Sequence, residues 1–262
     1  MNRALTAFVA GLSLVGIMAV TGLVWPIASG YLWGRPGDTP IPEQTFDRTA
    51  LNADLATAGF ALGDDAHVRI YKREHLLEVW MRSAEGRFVL FRAYEICTYS
   101  GGLGPKLAEG DRQAPEGFYR VARKQLNPNS RHHLAFNIGF PNALDQALGR
   151  TGSYLMVHGG CSSVGCYAMT DAQIDEIYAI IEAALDRGQQ EVDVSIFPFR
   201  MTETALQTEA GNQWSPFWRN LKLGADLFDL TGAPPRVAAC AGSYVFGGEQ
   251  LGSECTPITG WV

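Results

Sequence analysis

The longest apolar stretch of the chain lies at its N-terminus. No charged residue occurs between Ala4 and Ala28, and a bilayer core takes roughly 20 apolar residues to span. Arg3 precedes the stretch, so the positive-inside rule keeps the N-terminus in the cytoplasm and exports the remainder. A cleaved signal peptide is the alternative, because Ala28-Ser29-Gly30 is small enough for a peptidase site, but signal h-regions usually run only about 7–15 residues. We therefore predict a membrane anchor over residues 1–30, with the rest of the chain in the periplasm under either interpretation.

The pattern changes twice before residue 70. Residues 34–42 are dense in Pro and Gly and lack periodicity, which is typical of an extended linker, and we assign 31–60 to it. Short segments rich in β-branched and aromatic residues then predict strands. They are Val68–Tyr71, Leu76–Trp80, Phe88–Tyr94, Phe118–Val121, Tyr154–Val157 and Val192–Phe197.

Two helices are also predicted. Thr170 is a candidate N-cap with Gln173 three positions on, and apolar residues recur on one face until Gly188. Pro216 suits the first position of a second helix. The predicted fold is α+β and mostly β: an antiparallel β domain over 61–200 with a few packed helices, one N-terminal transmembrane helix before it and a C-terminal extension over 201–262.

Composition narrows the function. A chain of 262 residues with 47% hydrophobic and 18% charged residues can bury a sizeable core. The net charge of -6 leaves no broad basic face to neutralise phosphates. Nucleic acid is therefore not an expected partner.

The five cysteines are an odd number, which leaves at least one thiol unpaired in an oxidising compartment. We predict that this thiol is Cys166. Cys240 and Cys255 flank a Gly-rich stretch, where a disulfide would stabilise the fold by ~3 kcal/mol. A bond between Cys97 and Cys161 is conceivable, but their spacing does not indicate it, and we expect a structural role for Cys161.

The candidate chemistry lies between His158 and Cys166. A thiolate rather than a thiol attacks a carbonyl, so the cysteine needs a base. The seven intervening residues include three glycines, which let the chain fold tightly enough for an imidazole to face a sulfur. The amides of Gly165 and Cys166 are candidates for an oxyanion hole.

This segment resembles the L,D-transpeptidase catalytic-domain family, the YkuD-type fold, and most closely its YafK-like branch. The family pattern of a His-Gly followed by Ser/Thr-x-Gly-Cys is matched by His158-Gly159 and Ser163-Val164-Gly165-Cys166. The resemblance covers roughly 68–200. Further blocks that match in order are Glu109–Asp111, Pro115–Tyr119, Phe140–Asn142 with Asp145, and Arg150–Ser153.

The resemblance implies chemistry on peptidoglycan stem peptides, without a cofactor or a metal. Cys166 would attack the carbonyl of the diamino acid at the third stem position, release the terminal D-amino acid and hold the peptide as a thioester for an amine acceptor. His158 would move the protons, oriented by a backbone carbonyl near Gly159, and Ser163 would support the loop.

Two departures from the family pattern leave the acceptor open. Many members carry histidine and then arginine or asparagine at the positions of Val164 and Ala168. We associate this departure with the YafK-like branch, in which hydrolysis can release a wall-linked lipoprotein or peptide. A non-catalytic, membrane-anchored wall-binding module is the alternative from another class.

Other polar residues have competing interpretations. Asp145 and Arg150 either pair locally or bind an anionic stem peptide, and the sequence does not choose. His132-His133 is expected in a solvated turn, from which it could reach substrate. Lys106 and Glu109 are expected as exposed loop charges, and Trp214 and Trp218 are expected to pack the C-terminal extension. A zinc site at His158, Cys161 and Cys166, with or without Cys97, is less favoured because the spacing matches no paired zinc pattern.

Overall fold

The computed structural model describes residues 45–247, 252 and 254–261. The predicted anchor at 1–30 and the Pro- and Gly-rich stretch at 34–42 lie outside the described residues. Within the described ranges, no helix combines the length and apolar character needed to cross a bilayer.

The described residues form five helices and thirteen strands. The helices are α1 (Arg48–Thr57), α2 (Ala143–Ala147), α3 (Asp171–Asp186), α4 (Glu203–Thr208) and α5 (Ser215–Thr231). The strands are β1 (Ala66–Tyr71), β2 (Leu76–Arg82), β3 (Phe88–Glu95), β4 (Thr98–Tyr99), β5 (Gly117–Val121), β6 (Leu126–Ser130), β7 (His133–Asn137), β8 (Met156–His158), β9 (Tyr167–Ala168), β10 (Val192–Phe197), β11 (Val237–Cys240), β12 (Ser243–Phe246) and β13 (Thr256–Pro257).

The central sheet has the order β3-β2-β1-β10-β5 and is covered on both faces. Successive side chains of a strand point to opposite faces, so Val68 and Ile70 of β1 enter the main core, while Tyr71 enters a second core with residues of α5. All six residues of β1 are buried. Because β1 is buried on both faces, its polar residues need hydrogen-bond partners within the protein.

A second sheet, of order β4-β9-β8-β7-β6, carries the candidate site. Helix α3 lies between it and the central sheet, because α3 contacts β7 and β8 on one side and β1 and β10 on the other. Its buried residues include Ile174, Ile177 and Ile181. The predicted capping box is present: Gln173 N donates to Thr170 Oγ1 at 3.3 Å, and Thr170 N donates to Gln173 Oε1 at 3.1 Å.

The α+β class with mainly antiparallel pairing is confirmed, since only the β1/β10 and β8/β9 pairs are parallel among the described strands. The residues predicted as a C-terminal extension pack against the central sheet where they are described. Trp218 and Leu221 of α5 are fully buried against residues of the central sheet such as Phe197. Residues 201–261, where described, therefore contribute much of the second core, beside the central sheet.

Two local predictions need correction. The predicted linker contains α1, whose Leu51 and Leu55 are buried in the main core, and Asp47 caps it by accepting from Thr49 N at 2.8 Å. The sequence did not predict this helix, because Leu51 and Leu55 are its only large apolar residues. Strand β8 begins at Met156 rather than Tyr154, because Tyr154 has a left-handed backbone with φ of 55°.

Candidate active site

Strand alternation brings His158 and Cys166 to the same face of the second sheet. In the parallel β8/β9 pair, Val157 lies opposite Tyr167 and His158 lies opposite Ala168. Val157 and Tyr167 are fully buried in the main core. Their neighbours His158 and Cys166 therefore point away from that core, and both line one cleft of about 860 Å³.

The imidazole of His158 is held by its own strand end. Nδ1 lies 2.6 Å from the carbonyl oxygen of Gly159. A carbonyl can only accept, so Nδ1 carries the proton and Nε2 of the neutral ring has a free lone pair. Burial lowers the pKa of His158 below its usual value, the bond to Gly159 raises it, and the neighbouring His132 lowers it. The net shift is downward, which keeps the ring neutral and able to accept a proton near neutral pH.

Cys166 is the single free cysteine of the described chain. Its Sγ lies 3.4 Å from the amide nitrogen of Met156 and 3.7 Å from the carbonyl oxygen of Tyr154. Burial raises the pKa of the Cys166 thiol, and the Met156 amide and the charge of Lys106 only partly oppose this. Together with the lowered pKa of His158, this favours a neutral thiol and a neutral imidazole in the same cleft over a preformed ion pair.

Two hydroxyl groups hold the backbone on either side of the thiol. The amide of Cys166 donates to Ser163 Oγ at 2.9 Å, and that hydroxyl donates to the Cys166 carbonyl at 2.7 Å. The amide of Gly165 donates to Ser100 Oγ at 2.7 Å, and the two hydroxyl oxygens are 3.2 Å apart. Gly165 adopts a φ of 97°, which favours glycine.

The predicted oxyanion role of the Gly165 and Cys166 amides does not agree with these contacts. Both N–H groups already donate to hydroxyl oxygens, and an amide has a single proton to donate. In this conformation they stabilise the loop that carries the nucleophile candidate. The involvement of Ser100, which is 63 residues from Ser163 in the chain, had no signal in the sequence.

Gly159 lies where the strand end meets helix α3. Its amide donates to the carbonyl of His132 at 3.1 Å, and the next amide, of Gly160, donates to Asp171 Oδ1 at 2.8 Å. A Cβ on Gly159 would lie 2.5 Å from Asp171 Oδ1 and 3.0 Å from the His132 carbonyl oxygen. The close approach requires glycine at 159.

Disulfides account for the other four cysteines. Cys97, next to β4, is bonded to Cys161 in the loop between His158 and Cys166, and Cys240 is bonded to Cys255. The first bond gives Cys161 a structural partner that its spacing had not indicated. The bond also excludes Cys97 and Cys161 as zinc ligands, because disulfide sulfurs are not thiolate ligands.

His132 is a further residue of the site, and its contact with His158 was not predicted from the sequence. Its ring packs against that of His158 with centroids 4.7 Å apart, and it lines the same cleft as Cys166. The expected solvated turn is present, since Arg131 and His132 form an exposed turn between β6 and β7. From this turn the His132 ring packs on the candidate base. His133 turns the other way and bonds through Nε2 to Asp175 Oδ1 at 2.7 Å.

The remaining charged candidates lie outside the cleft lining. Arg150 Nη1 bonds to Asp145 Oδ1 at 2.8 Å, and both side chains are buried. The structure thus favours the local ion pair over substrate binding. Lys106 is not an exposed loop charge: it is buried and donates to the Ala108 carbonyl at 2.8 Å and to Asp111.

Replacing His132 with glutamine is expected to raise the pKa of His158. The neutral side chain keeps most of the bulk over the ring but removes the charge interaction that lowers the pKa. The titration of the His158 ring, followed by NMR in purified protein, measures the shift directly. The His133→Gln variant is the matched control, because His133 contacts Asp175 instead. An unchanged or lower His158 midpoint in His132→Gln would contradict the assignment.

The fold and this Cys–His cleft define a class of protein. Residues 65–196 match the YkuD family model, which describes the L,D-transpeptidase catalytic domain. The chain belongs to the YkuD L,D-transpeptidase catalytic-domain family. It is 48% identical over 184 residues to a protein of Escherichia coli K12 provisionally named L,D-transpeptidase YafK, and the alignment covers 70% of this chain and 74% of that protein. The same values hold for the protein of that name in Escherichia coli O157:H7.

Solved structures give more distant similarities. A point mutant of the helical cell shape determining protein Pgp2 from Campylobacter jejuni has a TM-score of 0.43 and 22% identity, covering 67% of this chain and 66% of that one. Bd1075 of Bdellovibrio bacteriovorus has a TM-score of 0.37 and 16% identity, covering 72% of this chain and 60% of that one. Both TM-scores lie below 0.5, and the family assignment does not rest on them.

Proposed function

We propose that this protein is a cysteine acyltransferase of the L,D-transpeptidase type that acts on peptidoglycan stem peptides, with Cys166 as nucleophile and His158 as general base. One observation carries the proposal: the single free cysteine of the described chain shares a cleft with a histidine whose Nδ1 is bonded to a carbonyl, which leaves Nε2 as a base. Family membership supports the reaction class.

The first half of the reaction is acylation. As the sulfur of Cys166 attacks the donor carbonyl, Nε2 of His158 accepts the thiol proton and a C–S bond forms. The C–N bond then breaks, and the same proton passes to the departing amine. The product is a thioester on Cys166 and a released D-amino acid. Because the thiol has a raised pKa, proton transfer and attack are expected to occur together.

The second half decides the kind of enzyme. An acceptor amine attacks the thioester, His158 takes its proton, the C–S bond breaks and the thiol is restored, which is transpeptidation. Water in place of the amine gives hydrolysis and release of a wall-linked protein or peptide. The cleft is open to solvent beside Tyr154 and Val164, which are 70% and 79% exposed. This exposure keeps hydrolysis as a second candidate.

Intact-mass analysis of the full-length protein tests the proposal. With a tetrapeptide-bearing muropeptide, the wild type is expected to gain the mass of the donor minus the terminal amino acid, and the Cys166→Ala variant is expected to gain none. Adding an acceptor amine is expected to yield a crosslinked product, whereas a trimmed tripeptide alone identifies hydrolysis. If the wild type forms neither adduct nor product and binds sacculi as well as Cys166→Ala does, the non-catalytic wall-binding module is correct.

We also propose that residues 1–30 anchor the protein in the inner membrane, with the catalytic unit in the periplasm. The uncharged run from Ala4 to Ala28 supports an exported chain, and two disulfides are typical of an oxidising compartment. Protease added to intact spheroplasts is expected to degrade the catalytic unit. Full protection would contradict this location.

A further inference from the structure

Among the described residues that line the cleft beside Cys166, one carries a permanent charge, Arg131. The other described residues of this lining offer hydroxyl, imidazole, thiol and apolar groups, and none is a carboxylate. The chain as a whole has an excess of acidic residues, with a net charge of -6. A cation in the cleft lining, with no carboxylate in that lining to neutralise it, favours an anionic ligand there.

Hydrogen bonds hold the turn that carries Arg131 on both sides. Ser130 pairs with His133 across the β6/β7 hairpin, and the amide of His132 donates to Ser130 Oγ at 3.0 Å. The carbonyl of His132 accepts from Gly159 at 3.1 Å, and His133 is bonded to Asp175. The backbone of Arg131 is therefore held at a set position next to the His158 strand.

The Arg131 side chain, by contrast, is exposed and makes no hydrogen bond or ion pair with any residue that the structure describes. The two carboxylates of α3 that approach this turn are already engaged. Asp171 accepts from Gly160, and Asp175 is bonded to His133. The guanidinium thus keeps its five N–H donors for a ligand.

We propose that Arg131 binds a carboxylate of the acyl donor and so positions the donor over Cys166. A guanidinium matches a carboxylate in a planar, two-bond geometry, which a lysine does not reproduce. The inference rests on the proposed function for the identity of the donor as a peptide with free carboxylates. It assigns Arg131 a positioning role, with the ring of His132 holding the turn against the base.

Binding is measured on the full-length Cys166→Ala protein, which cannot turn over the ligand, by titration calorimetry. Three tetrapeptide donors are compared: one with free carboxylates, one with a C-terminal carboxamide, and one with the side-chain carboxylate of the diamino acid amidated. Adding Arg131→Gln is expected to weaken binding of the free donor by roughly tenfold to a hundredfold, the range of a charge-assisted hydrogen bond. For one of the two amidated donors the same substitution is expected to have no effect, which identifies the bound carboxylate.

Two further variants separate recognition from general charge. Arg131→Lys is expected to recover only part of the affinity. Arg219→Gln removes an exposed arginine of α5 outside the cleft lining and is expected to leave binding unchanged. Three results would each overturn the role of Arg131. They are an affinity of Arg131→Gln for the free donor within twofold of that of the protein that keeps Arg131, an equal loss of affinity for all three donors, and no binding of any donor. Acylation of the otherwise wild-type protein by the free donor is recorded in parallel, and its absence overturns the proposed function instead.

Discussion

The His158→Gln variant is expected to acylate roughly 10²- to 10⁴-fold more slowly than the wild type, the range that a positioned general base contributes. The Cys166 thiol has a raised pKa because it is buried, so little thiolate forms without a base. Glutamine fills the space but accepts no proton. Single-turnover acylation with a muropeptide donor, followed by intact mass, measures the loss.

The pH dependence of the same reaction has a definite sign. The pKa of His158 is lowered, so the wild-type rate is lost as the pH falls through that lowered value. In His158→Gln, hydroxide has to remove the proton, and the rate is expected to rise with pH until it reaches the raised pKa of the thiol. His75→Gln, an exposed histidine outside the cleft lining, is the control. A His158→Gln rate within tenfold of wild type and an unchanged pH profile would exclude His158 as the base.

The Glu116→Ala variant is expected to lose about 3–5 kcal/mol of unfolding free energy, the cost of leaving a buried charge without its partner. Lys72 and Glu116 form an ion pair of 3.1 Å, and both side chains are 0% exposed. Glu116 also accepts from Gly104 N at 2.7 Å and from Trp218 Nε1 at 2.8 Å. Its removal therefore leaves three buried donors without their carboxylate acceptor: Lys72 Nζ, Gly104 N and Trp218 Nε1.

Urea unfolding of the full-length protein at two pH values checks this prediction. Burial already lowers the pKa of Lys72 and Glu116 opposes that shift, so Lys72 in the variant gives up its proton more readily. The variant loses most unfolding free energy below the folded-state pKa of Lys72, where the buried amine is charged. The loss shrinks as the pH rises from that pKa toward the higher pKa of Lys72 in the unfolded chain, so it should be smaller at high pH. Asp226→Ala breaks the Lys222–Asp226 pair, whose carboxylate is exposed, and should cost at most ~0.5 kcal/mol. A loss below about 1 kcal/mol in Glu116→Ala would contradict the account.

The Lys72→Met/Glu116→Leu double variant distinguishes the charge from the packing. Replacing both partners by apolar residues removes the stranded charge, and such exchanges are often close to neutral. Part of the lost free energy is expected to return, because Gly104 N and Trp218 Nε1 stay without their acceptor. If the double variant is as unstable as Glu116→Ala, the cost lies in these two donors and in the packing around Trp218 rather than in the charge of Lys72.

Several parts of the fold and site follow from short-range patterns in the sequence. The β-branched and aromatic residues of β1 and β10, the Thr170 capping box of α3 and Pro216 at the start of α5 are each signals within one element. The His158-Gly159 and Gly165-Cys166 pairs also lie within one loop. Local periodicity and backbone preference act over a few residues, so a single sequence reveals them.

Only the tertiary structure decides what lies around that loop. The Cys97–Cys161 bond joins residues 64 apart, the β6/β7 hairpin brings His132 onto His158, and the hydroxyl of Ser100 reaches Gly165. Strand order determines these contacts, and it is set by how the apolar faces of two sheets close around α3 rather than by any local pattern. For the same reason the sequence left Asp145 and Arg150 open between a local pair and substrate binding and predicted an exposed Lys106, while packing determines that each is buried with a partner.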